Sequence, residues 1–549
     1  PYRIDHVLIR AHDGALLSAL VVRPAASYGR LPTAFEFTIY VDPADDAKRL
    51  EYAADRGYAG VMAYTRGKAR SPGAIVPYEY DGRDADGVID WIAAQPWSDG
   101  QIGMMGGSYD GFTQWAAAKF ANPHLKTIVP EVPNNPGNGL PMQNNIFLPV
   151  NYEWIYYVTN SKTRDDDAVY NDPRWRKLPL QLYRSGRAYR DIDAIAGEPN
   201  PWLHKWLDHP AYDSYWQGMN PYRTDYARIH FPVLTIAGYY GDSTAVGYFT
   251  DFQRYNRAAQ NYLVMGPWDH FGSQEKSKPK VLRSYTIDPV ANVDAWRLTF
   301  DWFDYVMRGK PRPALVADRI NYEVMGENVW RHAPSLDAMG TPQRFYLSTR
   351  KVSKAYYILA TTQSSPVGAL LQRVDLADRK TQNNDSYPFP ILGKKLDLSD
   401  GYVFVSAPFA RATEVSGLDG VFHLSVNKRD LDVGIALYEM LPDGQLMQLT
   451  YYTERASFAN DMSTRELLTP GKDATVPFYQ DYLFSRLVGK GSRLLLTVTV
   501  NKNAFAEINY GTGKDVASES IKDAGVPLRV KWLTSSYIRL LTKDEAGKS

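Results

Sequence analysis

The sequence predicts an α/β protein: a doubly wound, mostly parallel sheet, interrupted by a helical insertion and followed by an all-β domain. Three observations predict it. Apolar, β-rich runs alternate with helix-like runs over the first 130 residues and again from Pro232. Residues 131–230 between them are rich in Pro, Asn, Trp, Tyr and charge. Beyond Pro311, short alternating runs punctuated by Gly, Pro, Asn and Asp take over, the pattern of a β-sandwich. The expected division is a sheet domain of residues 1–130 and 231–310, a mainly helical cap of 131–230, and a sandwich of 311–549.

Phe35 to Val41 is apolar and β-rich. Ala44 to Arg56 reads as a helix, with Asp45 and Asp46 in its first turn and Gly57 as its stop. Ala59 to Tyr64 is the next strand, and Val88, Ile89, Trp91 and Ile92 stripe a helix over Asp84 to Ala94. Ile102 to Met105 then runs into Gly106-Gly107-Ser108-Tyr109-Asp110-Gly111, and a helix-like segment, Phe112 to Phe120, runs out. Strand, Gly-flanked serine, helix is the context of a nucleophile elbow. So tight a turn favours glycine beside the serine. It pushes the Ser108 hydroxyl over the sheet edge and aims the first helical N–H groups at the same point. The competing reading is a Gly-rich turn with a surface serine, since the usual Gly-x-Ser-x-Gly is here stretched by one residue.

The insertion carries helix-like stretches at Asn151 to Thr159 and Pro201 to Leu207. As a cap over the serine it offers Trp154, Tyr156, Tyr157 and Trp202 as candidate pocket walls, with cap core as the alternative for each. Pro232 to Gly238 reads as a buried parallel strand with Asp242 just past its end. Tyr262 to Gly266 reads as the next, followed by His270. Residues beyond the C-terminal ends of parallel strands sit where α/β folds place ligands. Serine, acid, histidine is also the chain order of elbow hydrolases. His270 would take the Ser108 proton, and Asp242 would hold the imidazole in its working tautomer. Asp269 is the alternative acid, but adjacent residues on one loop rarely point so that one orients the other's ring. An amphipathic helix, Val293 to Met307, ends at Gly309. Sandwich strands are expected at Arg319 to Val324, Gln343 to Leu347, Val421 to Val426, Val433 to Tyr438, Arg493 to Val500 and Arg529 to Leu533.

Several of these segments resemble the cocaine esterase and X-prolyl dipeptidyl-peptidase family of serine hydrolases, which includes the α-amino acid ester hydrolases. The elbow hexapeptide carries the resemblance, with Gln95-Pro96-Trp97-Ser98-Asp99-Gly100-Gln101-Ile102-Gly103 before it and Met265-Gly266-Pro267-Trp268-Asp269-His270 after it. Weaker echoes are Arg66-Gly67, Asp81-Gly82-Arg83-Asp84 and Trp206-Leu207-Asp208-His209-Pro210. The resemblance implies an α/β-hydrolase domain with a cap and a C-terminal jelly-roll. It implies Ser108 as nucleophile, Asp242 as acid and His270 as base. It also implies an oxyanion hole made by the Tyr40 hydroxyl and the Tyr109 backbone N–H. Two departures stand out. Phe37-Thr38-Ile39-Tyr40 replaces the usual Arg-x-Pro-Tyr, and Gly238-Tyr239-Tyr240-Gly241-Asp242 has one residue more than Gly-Trp-Tyr-Asp, a surplus a bulge at Gly241 would absorb. The α-amino acid ester hydrolases hold a substrate ammonium with carboxylates. Here the corresponding stretches read Ser243-Thr244-Ala245 and Gln143-Asn144-Asn145. An ammonium buried without a counter-charge is costly, so selectivity for α-amino acyl groups is not expected.

The expected reaction is cleavage of an ester, amide or short peptide through an acyl-enzyme. The alternatives are acyl transfer to an amine as in β-lactam acylases, X-Pro dipeptide release, and an inert hydrolase site beside a glycan-binding jelly-roll. A net charge of +1 gives no reason to expect nucleic acid or an anionic membrane. No apolar run approaches the roughly 18 residues of a membrane span. The chain has no cysteine, which excludes disulfides and thiolate metal sites. No cofactor or metal motif is found: His204 and His209 lack metal-helix spacing, and Gly511-Thr512-Gly513-Lys514 lacks that of a P-loop. The absence of cysteine and the start at Pro1 suit a periplasmic or secreted protein, with the cytoplasm as alternative. Relatives often self-associate, so a homo-oligomer stays among the expectations.

Overall fold

The computed structural model describes residues 1–26, 29–241, 244–383, 387–396, 398, 400–479 and 483–544. Its first domain is built on a ten-stranded sheet. Strands β1 (Tyr2–Arg10) and β2 (Leu16–Pro24) form an antiparallel edge hairpin that pairs with β4 (Ala59–Tyr64). The order then runs β4, β3 (Leu31–Thr38), β5 (Ser98–Gly107), β6 (Leu125–Glu131), the strand Val233–Tyr240 and the strand Asn261–Asp269, all parallel. Ile320–Val324 continues parallel to Asn261–Asp269, and Val329–Ala333 closes the sheet antiparallel. The sheet is thus longer than expected. Arg319 to Val324 belongs here rather than to the sandwich, whose first strand is Thr341–Tyr346.

The sheet is wound on both faces, as consecutive strand residues show. Phe35, Met104 and Ile128 pack with α2 (Asp81–Ala93), α3 (Tyr109–Ala118) and the helix Thr244–Tyr255. Their neighbours Ala34, Met105 and Val129 pack on the opposite face with α1 (Asp46–Asp55) and the helix Ala295–Arg308. Both faces are covered, so these strands read as continuous apolar runs.

The cap begins with a hairpin, Met142–Gln143 paired with Ile146–Phe147, whose two-residue loop places Asn144 and Asn145 at φ 48° and 61°. Asparagine tolerates that left-handed pair better than most residues. Helices follow at Pro149–Thr159, Asp166–Val169, Pro173–Ser185, Ile192–Ala196, Pro201–Leu207 and Ser214–Gln217. Two start with Pro in the first turn behind an acceptor cap. The Asn200 side chain, for one, accepts from Trp202 and Leu203 N–H. The C-terminal domain is a sandwich of a seven-stranded and a six-stranded sheet, the expected jelly-roll architecture. Its core is continuous with the ends of the strands Val233–Tyr240 and Asn261–Asp269. No helix among the described residues is long and apolar enough to cross a membrane.

Candidate active site

Ser108 sits between the C-terminal end of β5 and the first residue of α3, at φ 59° and ψ −119°. That conformation is strained for a side chain of L configuration and costs about 1–3 kcal/mol. The surroundings impose it. The Ser108 N–H donates to the Glu131 carbonyl at 2.9 Å, and its own carbonyl accepts from Gly111 and Phe112 N–H at 3.0 and 3.1 Å and from Asn134 N–H at 3.0 Å. Gly106 turns at φ 120°, where a Cβ would come within 2.7 Å of the Asp110 Cβ. A Cβ on Gly111 would come within 2.7 Å of the Pro133 Cα. The two outer glycines of the stretched motif are therefore both required, one by turn geometry and one by close packing of α3.

Tyr40 follows β3, its N–H capped by the Thr38 hydroxyl at 2.9 Å. Its hydroxyl accepts the Trp154 indole N–H at 2.9 Å and lies within hydrogen-bonding reach of the Ser108 side chain. Burial pushes that hydroxyl far above the usual tyrosine range, opposed by these two hydrogen bonds, so it stays protonated and able to donate. Tyr109 opens α3, so its N–H has no carbonyl partner within the helix. The Tyr40 hydroxyl and the start of α3 thus both lie beside the serine.

His270 lies in the turn after Asn261–Asp269, half-buried, with its ring 5.4 Å from that of Phe271. Gln274 joins this turn to the elbow: its amide donates to the His270 carbonyl at 2.9 Å, and its side chain covers the face of Gly107. Asp242 lies outside the described residues. A Cβ on Gly241, just before it, would lie 3.5 Å from the His270 backbone nitrogen. Where Asn261–Asp269 pairs with Val233–Tyr240, the register shifts between Gly266 and Asp269 on the histidine strand. Asp269 turns away to other partners. Its carboxylate accepts the Gly272 N–H at 2.8 Å and faces Arg283 at 3.6 Å.

Of the four cap aromatics, Trp154 reaches the site through Tyr40. Tyr157 flanks Tyr40 with ring centroids 6.2 Å apart and donates its hydroxyl to Asp166 at 2.8 Å. Tyr156 packs on Trp175 at 4.8 Å and Trp202 on Trp206 at 6.0 Å, which places both in contacts internal to the cap. At the positions where an ammonium cradle would need carboxylates, the Thr244 hydroxyl donates to the Pro133 carbonyl and Ala245 is buried. Asn144 donates to the Thr453 carbonyl at 2.8 Å, and Asn145 to the Pro210 and Met462 carbonyls at 2.9 Å each. Ser243 lies outside the described residues.

A family model described as X-Pro dipeptidyl-peptidase (S15 family) matches residues 13–272, and one described as the X-Pro dipeptidyl-peptidase C-terminal non-catalytic domain matches residues 317–524. Cocaine esterase of Rhodococcus sp. (strain MB1 Bresler) is 25% identical over 564 residues, 94% of this chain and 94% of that one. The chain belongs to the cocaine esterase and X-prolyl dipeptidyl-peptidase family. It is a serine hydrolase. An α-amino acid ester hydrolase structure has the same fold, with a TM-score of 0.78 at 21% identity over 99% of this chain and 97% of that one. So does an aminopeptidase from the marine sediment archaeon Thaumarchaeota archaeon, with a TM-score of 0.80 at 16% identity over 99% and 96%.

Three features of this family member escaped the sequence reading. Gln274 carried no motif signal. Asn134, whose N–H binds the Ser108 carbonyl, sits in an Asn-Pro-rich loop that reads as a plain connector. Beneath the elbow lies a set of buried acids. Glu36 is bonded to Arg49 at 2.7 Å, and Asp110 meets Glu36 and is pushed well above the carboxylate range by burial and by that neighbour. Glu131 accepts the Thr299 hydroxyl at 3.2 Å.

Proposed function

We propose that this hydrolase cleaves a carboxylic ester or amide by acyl transfer from Ser108 to water. Its strained backbone at the start of α3, with the Tyr40 hydroxyl within reach, is the observation that supports this most directly. In this reading His270 takes the Ser108 proton as the hydroxyl attacks the carbonyl, and Asp242 orients the imidazole. The tetrahedral oxyanion is met by the Tyr40 hydroxyl and the Tyr109 N–H, each donor worth about 2.7–4 kcal/mol. The protonated His270 gives its proton to the leaving group, and a water deprotonated by the same ring clears the acyl-enzyme.

Trp154 and Tyr157 form the wall nearest the oxyanion. With Thr244, Ala245, Asn144 and Asn145 at the positions considered for an ammonium cradle, the acyl group needs no α-amino substituent. Turnover of p-nitrophenyl esters with and without an α-amino group tests this, and the plain acyl ester is expected to be the better substrate. Ser108→Ala is expected to abolish turnover with the fold intact by circular dichroism. Undiminished turnover in that variant would sink the mechanism.

A further inference from the structure

The Asp81-Gly82-Arg83-Asp84 segment has no part in the chemistry above, yet its first residue points into the site's foundations. Asp81 opens α2 and is fully buried. Its carboxylate accepts a hydrogen bond from the Tyr109 hydroxyl. The same hydroxyl accepts the Tyr78 N–H at 2.7 Å. Tyr78 is held at φ 68°, and its own hydroxyl accepts the Asn134 side-chain amide at 2.5 Å. The Asn134 N–H then donates to the Ser108 carbonyl at 3.0 Å, which closes the circuit. Gly82 allows it: a Cβ there would come within 2.7 Å of the Ala116 carbonyl oxygen, so α2 lies tight against α3.

The Ser108 carbonyl and the Tyr109 N–H belong to one planar peptide unit. Asn134 fixes that plane from the carbonyl side, while the anchored Tyr109 side chain fixes it from the other. The Tyr109 ring is stacked on Tyr78 at 5.1 Å, edge-on to Phe112 at 5.3 Å and edge-on to Tyr40 at 6.2 Å. Trp154, bonded to the Tyr40 hydroxyl, lies 6.2 Å from the Tyr109 ring and 5.9 Å from that of Tyr78. One side chain therefore carries one oxyanion donor on its own backbone and braces the ring that carries the other.

We propose that the Tyr109 hydroxyl and Asp81 form a positioning unit that holds both oxyanion donors where the tetrahedral intermediate needs them. The proposal rests on the reading of Ser108 as nucleophile. It gives an atomic reason for a tyrosine after the serine and an acid at position 81, neither of whose side chains would touch substrate.

Tyr109→Phe keeps the ring and its stacking and removes only the hydroxyl. The expected result is a kcat lower by about 10-fold or more, KM within about twofold of the wild type, and a matching loss of affinity for a boronic acid that forms a tetrahedral adduct on serine. Asp81→Asn keeps an acceptor for the hydroxyl and should retain most of the turnover that Asp81→Ala loses. This pair carries the test should Tyr109→Phe fail to fold. A role confined to packing would move thermal stability without the split between kcat and KM and without rescue by Asn. Wild-type kcat in Tyr109→Phe, or equal kcat in the two Asp81 variants, overturns the proposal. Fluorophosphonate labelling of the wild type separates the two layers of the argument. If Ser108 is labelled and the variants turn over normally, the positioning unit alone falls; if Ser108 is not labelled, the nucleophile reading falls and the proposal with it.

Discussion

Buried acids lie beside Ser108. Glu131, whose backbone carbonyl holds the Ser108 N–H, has its carboxyl pushed up to about 7 by burial, against the pull of Arg49, Lys278 and the Thr299 hydroxyl. A raised folded-state value means that the native protein binds a proton the unfolded chain has released. The contribution is therefore full below about pH 4.5 and declines as pH rises toward 7. Glu131→Gln is expected to flatten that decline in a series of melting temperatures across this range. An unchanged slope would assign it to other groups. None of this was legible in the sequence. Glu36 and Glu131 sit inside apolar strand runs, where pattern alone gives no reason to expect a partnered acid.

Elements whose neighbours lie close in the chain were the readable ones. Ala59–Tyr64 and Pro201–Leu207 were read to the residue, because a Gly before one and a Pro opening the other mark real boundaries. The elbow was readable for the same reason, being one strand, one turn and one helix. The hairpin β1–β2 was not, since its outer strand mixes Arg, Asp and His with apolar residues without alternation and gains its place only by pairing with β4 through β2. Helix α3 is buried along its whole length, and Gly111 is its point of closest approach to the chain after β6. Gly111→Ala is expected to force α3 and Pro133 apart, costing about 1–3 kcal/mol of stability and most of the activity. Wild-type stability and turnover in that variant would show that the contact relaxes freely.

Across the whole molecule, the cap and the sandwich are joined by a buried ionic knot. Arg455, 2% exposed, pairs with Asp432 at 2.8 Å and Glu507 at 2.9 Å and donates to the Asn145 carbonyl in the cap hairpin at 2.5 Å. Glu507 in turn accepts the Phe147 N–H at 3.0 Å. Removing the arginine leaves two buried acids unpaired, so Arg455→Ala is expected to cost about 3–5 kcal/mol and to lower the melting temperature. An unaffected melting temperature would mean that water or a local shift replaces the guanidinium. Contacts of this range explain why the expected boundary at 311 fell short: nothing local in Ile320–Val324 distinguishes a strand that pairs with Leu263 from one that joins the sandwich. The placement of Ser108 and His270, by contrast, was legible: each follows a strand end, and strand ends in a parallel sheet meet along one edge. The most direct test of the central claim is the intact mass of the protein after incubation with a fluorophosphonate, with the adduct mapped by peptide sequencing. A single adduct on Ser108, lost in His270→Ala, is the predicted result; no adduct, or one on another residue, would contradict the assignment of Ser108 as the nucleophile.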